Sequence, residues 1–286
     1  MRKEIGERPR FPWYGWVGGA VVIGAEVCLF ARQPFVSRWF TPIVWTGYVL
    51  FADGLAFRLR GRSLIQSRPR EALMLPWISA GCWLIFELYN LRLRNWYYAG
   101  VPEHPLVRDW AYLWSFATIF PGMFETADVL RGLGLFQGTR RQPHDMSSLW
   151  LRLSFLLGLA FLAIPPLLPP DVASYTFALV WVGFVLLLEP VNRALGAPSL
   201  YRAWERGKPR PVYVMLSAGL LCGVLWEFWN YWATARWRYT LPWPLDFGVY
   251  YFRMPLLGML GFPVFALECY TMYHFLWRML GGEANE

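Results

Sequence analysis

Seven acidic residues, Glu26, Asp53, Glu87, Glu125, Glu189, Glu227 and Glu268, fall inside stretches that are otherwise apolar. An ionised carboxylate at the centre of a bilayer costs on the order of 2.5–3.5 kcal/mol even on insertion scales, so each must be partnered, protonated or solvated in a cavity. Glu87 and Asn90, like Glu227 and Asn230, are three residues apart, which puts carboxylate and amide on one helical face. Glu125 and Glu268 each follow a Phe-Pro pair, and a proline in mid-helix frees backbone carbonyls that need a polar neighbour. A carboxyl group buried in hydrocarbon holds its proton tightly and suits general acid catalysis. Glu227 and Glu268 are therefore the preferred acid/base candidates, with Glu87 and Glu125 as their counterparts. The bland alternative is that Glu and Asn join helices by hydrogen bonds worth about 1 kcal/mol each.

The remaining acids read differently. Asp53 and Glu189 have Arg58 and Arg193 about a turn away and are expected to form structural ion pairs or to be solvated at the interface, near the headgroups. Glu26 has no counterpart and no assigned role. His104, His144 and His274 sit at no helical ligand spacing, and neither do Cys28, Cys82, Cys222 and Cys269, so no metal, disulfide framework or other cofactor is expected.

Two segments, 92–110 and 236–255, combine Arg, Trp and Tyr with prolines. Such residues form interfacial belts, with aromatic rings at headgroup depth and arginines snorkelling outward. The sharper possibility is a lid in which Trp96, Trp237 and Tyr239 roof an apolar cavity above the carboxylates. On that reading Asn90, Asn230, Trp96, Trp237, Tyr98 and Tyr239 bind the substrate.

These residues need elements to hold them. The chain is 56% hydrophobic and 16% charged, with 18 Trp, 15 Tyr and 21 Phe. Hydrocarbon about 30 Å thick needs roughly 20 apolar residues per helix, and such stretches lie near 13–30, 39–57, 72–90, 110–130, 149–168, 172–191, 212–230 and 255–278. The fold class expected is all-α, a polytopic transmembrane bundle of about eight helices. The net charge of +8 does not mark a nucleic-acid binder, because 19 of the 27 Lys and Arg fall before helix 1, after helices 2, 4 and 6, and at the end of helix 8. The positive-inside rule then places both termini in the cytoplasm, in an integral protein of the cell membrane whose partners are lipid and a lipid-like substrate. The first apolar stretch is expected to be retained, because Glu26 interrupts it and no small-x-small site follows.

The chain also aligns with itself. Residues 82–90, CWLIFELYN, match 222–230, CGVLWEFWN, at an offset of 140, and upstream Gly47, Asp53 and Ser63 match Gly183, Glu189 and Ser199 at 136. Downstream, Trp96 and Tyr98 match Trp237 and Tyr239, and Phe120-Pro121 matches Phe262-Pro263. The order points to two tandem four-helix repeats, 1–142 and 143–286, in parallel orientation.

The order in 227–268, acid, Asn, Trp-x-Tyr, then a Pro-bearing helix with Glu, resembles the small transmembrane lycopene cyclases of carotenoid biosynthesis. Here Pro263 and Glu268 are separated by Val-Phe-Ala-Leu, where that family carries tandem glutamates directly after proline. The resemblance implies cofactor-free proton chemistry on a polyene, with intramembrane carboxylates as acid and base. Three functions stay open: an enzyme acting on an isoprenoid or other lipid, a proton-coupled carrier or flippase, and a non-catalytic membrane subunit.

Overall fold

In hydrocarbon a backbone satisfies its own polar groups only by coiling, and the apolar stretches do so. The computed structural model describes residues 9–282. Its principal helices are α1 (Trp13–Phe30), α2 (Phe40–Arg60), α3 (Pro69–Leu93), α4 (Pro105–Ala117), α5 (Ile119–Gly132), α6 (Ser148–Ala163), α7 (Phe177–Ala194), α8 (Arg210–Trp232), α9 (Leu256–Met259) and α10 (Gly261–Met279). Among the described residues, seven helical segments are long and apolar enough to cross a membrane. The protein is an all-α polytopic bundle, and large apolar side chains such as Ile23, Val27, Leu149 and Leu156 point outward, where only lipid tails would suit them.

The expectation of one helix over 110–130 is corrected: the stretch is two shorter helices, α4 and α5, interrupted at Thr118, and neither is among the seven. The prolines explain the break. A proline has no N–H and clashes with the carbonyl four residues before it, and for Pro121 that residue is Ala117, the last of α4. Likewise Pro263 lies four residues after Met259, where α9 ends before α10 begins. Both prolines therefore stand in the first turn of a new helix and not in mid-helix. Fully buried Ser79 on α3 bridges the first break, its hydroxyl donating to the Phe116 carbonyl (2.5 Å) and accepting the Phe120 N–H (3.0 Å).

Packing is closest where small residues let backbones approach. Helix α1 lies along α2 through Gly15, Gly18, Gly47 and Gly54, and α6 lies along α7 through Gly158 and Gly183. Helix α2 then packs on α5, α7 on α10, and α3, α5, α8 and α10 meet at the centre. Trp45, Phe86, Phe120 and Met215 are fully buried there.

At one end of the bundle, two short strands pair antiparallel, β1 (Trp96–Ala99) and β2 (Arg236–Tyr239). Their register sets Trp96 opposite Tyr239 and Tyr98 opposite Trp237. The opposite end holds the arginine-rich connections.

Candidate functional site

The strand pair organises the most notable polar group in the protein. Asn90, near the end of α3, uses its side-chain oxygen to accept the Asn95 N–H (2.8 Å) and Trp96 N–H (3.2 Å), and its amide donates to the Trp96 carbonyl (2.8 Å). Asn230, on α8, does the same for Trp237, accepting its N–H (3.0 Å) and donating to its carbonyl (3.1 Å). The asparagines thus fold each strand back over its own helix, one turn beyond the glutamate. They are clamps for the backbone, and neither lines the cavity below.

That folding delivers the side chains of the strands to the carboxylates. Glu87 Oε1 accepts from Tyr98 Oη (2.6 Å), Trp83 Nε1 (2.8 Å) and Trp96 Nε1 (3.1 Å). Glu227 Oε1 accepts from Tyr239 Oη (2.5 Å) and, at longer range, Trp237 Nε1 (3.4 Å), which also donates to Tyr239 Oη (2.7 Å). The two centres differ in one respect. Half-buried Glu87 has three donors on one oxygen, whereas Glu227 is fully buried and its second oxygen has no hydrogen-bond partner. Burial first, and the adjacent carboxylate next, push the Tyr98 and Tyr239 hydroxyls well above the usual phenol range, so both remain O–H donors.

Both tyrosines line one apolar cavity of about 150 Å³ beneath the strands, together with Trp83, Trp96, Trp237, Trp45 and Trp226. This is about the volume that an engineered apolar cavity offers a benzene ring, so it admits a ring or a short chain segment. Phe265 supports its floor, 5.7 Å from Trp83 and 6.2 Å from Trp226 between ring centroids. Trp45 Nε1 is buried without a hydrogen-bond partner. Of the sequence candidates, then, Trp96, Tyr98, Trp237 and Tyr239 come together at the cavity wall, with Glu87 and Glu227 behind them.

Glu125 and Glu268 lie elsewhere. Glu125 faces a separate cavity at the arginine-rich end. Glu268 lines neither cavity; it is sealed inside the bundle with both oxygens lacking hydrogen-bond partners, within electrostatic range of Cys82 and Tyr89. The four glutamates do not share one pocket.

Asp53 and Glu189 also depart from expectation, because their partners are loop donors and not arginines. Asp53 accepts from Ser63 Oγ (2.8 Å), the Ile65 N–H (2.8 Å) and Tyr14 Oη (2.6 Å). Glu189 accepts from Ser199 Oγ (2.7 Å), the Tyr201 N–H (3.0 Å) and Thr271 Oγ1 (2.8 Å). Ser63 and Ser199 each begin a short helix, Leu64–Ser67 and Leu200–Glu205, and a helix start supplies N–H groups without internal partners. Arg193 instead pairs with Glu205 at 2.8 Å. These acids latch loops to spans.

Trp83 and Trp45 were not singled out by spacing. Trp83 is four residues before Glu87 on one helical face, a signal present in the sequence; Trp45 reaches the cavity only through the packing of α2. Glu26 accepts from Trp229 Nε1 at 2.9 Å, tying α1 to α8. Among the described residues no group of three or more His, Cys, Asp or Glu is placed to hold a metal ion. No protein-family model, curated protein or solved structure matches this chain.

Proposed function

We propose that this integral membrane protein is an enzyme that performs acid–base chemistry on the apolar end of an isoprenoid or other lipid, in the cell membrane. The observation that carries the reading is the pair of Tyr–Glu dyads, Tyr98–Glu87 and Tyr239–Glu227, facing one tryptophan-walled apolar cavity. Apolar walls select a hydrocarbon, and a proton relay is what the dyads offer it.

The relay balances without a cofactor. In the relay the Tyr239 hydroxyl hydrogen turns from Glu227 Oε1 to the cavity, and Glu227, protonated on that oxygen, passes its proton to Tyr239 Oη as the tyrosine gives its own to a carbon–carbon double bond. Cationic charge then develops on the adjacent carbon, against tryptophan faces that attract it. Tyr98 takes a proton from a neighbouring carbon while its own passes to Glu87, so one proton enters, one leaves, and the double bond moves or a ring closes; before the next turnover Glu87 releases its proton to water and Glu227 takes one up. The two carboxylates are unequal in a way that supports unequal roles, since Glu87 accepts three donors on one oxygen while the second oxygen of Glu227 has no hydrogen-bond partner. The tyrosines touch the substrate in this scheme, and the glutamates act through them. The residue order over 227–268, read as resembling the lycopene cyclases, would imply proton chemistry of this kind.

A tandem duplication belongs to the same reading. It is supported by the matching partners of Asp53 and Glu189, of Asn90 and Asn230, and of Glu87 and Glu227 at offsets of 136 and 140.

The test is mass spectrometry of lipids from cells making the wild type, Tyr239→Phe, or Glu227→Gln. A lipid product is expected to fall about 10²- to 10⁴-fold in both variants, the usual contribution of positioned acid–base groups. Unchanged lipid profiles with normal insertion would overturn the enzyme. Uptake by proteoliposomes that depends on pH and leaves the cargo intact would replace it with a carrier.

A further inference from the structure

The cavity at the arginine-rich end is larger, about 650 Å³, and its chemistry is the opposite of the aromatic one. Six arginines line it, Arg60, Arg62, Arg68, Arg131, Arg202 and Arg206, against three carboxyl groups, Glu71, Glu125 and Asp128. Even with all three ionised, a surplus of three positive charges remains. The walls come from α2, α3 and α5 on one side and from 196–206, α8 and α10 on the other.

The bland account is that these arginines obey the positive-inside rule and lie among lipid headgroups. Their burial argues otherwise. The side chains of Arg60, Arg131 and Arg68 are only 17%, 27% and 33% exposed. All three converge on Asp128, at 2.5, 2.7 and 3.3 Å, and Arg68 also reaches Glu71 at 3.0 Å. One carboxylate cannot use the donors of three guanidinium groups. The acids hold these arginines in place, and the lining as a whole carries more guanidinium than carboxyl groups. Arg202 is tied by its Nη2 to the Arg193 carbonyl (2.7 Å), and Arg62 and Arg206 stand exposed at the rim. Buried Glu125 also lines the cavity.

We propose that this cavity binds a phosphate or diphosphate group. Planar guanidinium forks arranged around a space match an anion with several acceptor oxygens, which a phosphate offers and a single carboxylate does not. The surplus charge suits a multivalent anion. Two sources share this chemistry, the phosphomonoester head of a lipid and a soluble phosphate compound. The inference does not depend on the acid–base reading of the other cavity.

The experiment uses the full chain in neutral detergent, titrated with inorganic pyrophosphate by calorimetry, and with phosphatidic acid against phosphatidylcholine by native mass spectrometry. Saturable binding of pyrophosphate or phosphatidic acid, weakened about 10-fold or more in R62Q/R206Q, is expected. Preference for phosphatidic acid assigns a lipid head, and equal or tighter pyrophosphate binding assigns a soluble ligand. Binding of neither probe, or unchanged affinity in the folded double variant, overturns the site. Should R62Q/R206Q fail to insert, displacement decides with the wild type: a fluorescent phosphatidic acid must be displaced by unlabelled phosphatidic acid or by pyrophosphate and not by phosphatidylcholine, and displacement by neither, or equally by phosphatidylcholine, overturns the proposal.

Discussion

Replacing Glu189 by alanine tests the loop latch most directly. The substitution leaves Ser199 Oγ, the Tyr201 N–H and Thr271 Oγ1 without their acceptor in a site of zero solvent exposure. Thr271 keeps a partner, since its hydroxyl also reaches the Leu267 carbonyl at 2.9 Å. Two buried donors are then orphaned at about 1–3 kcal/mol each, so Glu189→Ala should cost about 2–6 kcal/mol. Ser199→Ala alone loses the same carboxylate bond and also its cap on the Arg202 N–H (3.2 Å), the latter worth about 1 kcal/mol. In the Glu189→Ala background only the cap remains to be lost. A double-mutant cycle by equilibrium unfolding in mixed micelles with sodium dodecyl sulfate should therefore give a coupling of at least about 1 kcal/mol. Additivity within about 0.3 kcal/mol would refute the latch.

Two further outcomes follow from the packing and the charges. Gly158→Val places a Cβ against the Leu187 backbone and the Gly183 carbonyl, so α6 and α7 must separate, at an expected cost of about 1–3 kcal/mol or more in the same unfolding assay, whereas Gly24→Val meets nothing within 4 Å and should be neutral. Glu205, against the opposing effect of its burial, is held below the usual glutamate range by Arg193 and the Met146 N–H (3.0 Å). A lowered folded pKa gives stability that is present above the unfolded value of about 4.3 and is lost as pH falls through the folded one. The melting-temperature advantage of wild type over Glu205→Gln should therefore shrink below about pH 4; a constant difference down to strong acid would contradict the pairing.

Much of the bundle was legible because hydropathy and lipid impose the same constraint: an apolar run of sufficient length has no alternative to a helix. The Glu-x-x-Asn pattern was legible for the same reason, as a polar stripe on an apolar cylinder. What eluded the sequence was everything decided by loops. Asp53 and Glu189 have arginines nearby in sequence, yet the donors that win are freed by short helices whose geometry spacing does not reveal. The stretch 110–130 reads as one helix because its composition is continuous, although Pro121 marks where it breaks. Tyr98 and Tyr239 were noticed, but their shared cavity depends on strand pairing across 140 residues. The inward turn of the arginines was hidden in the same way, since a charge count cannot distinguish a side chain facing headgroups from one facing a chamber.

The ribbon formed by β1 and β2 has a consequence for assembly. An extended segment beside hydrocarbon cannot leave its amides idle, and here each strand is matched by the one from the other half of the chain. Cutting the polypeptide between Gly132 and Ser148 would leave the two pieces zipped at the far end, so fragments expressed separately should find one another and restore the aromatic chamber. Each piece alone supplies only part of the chamber's lining.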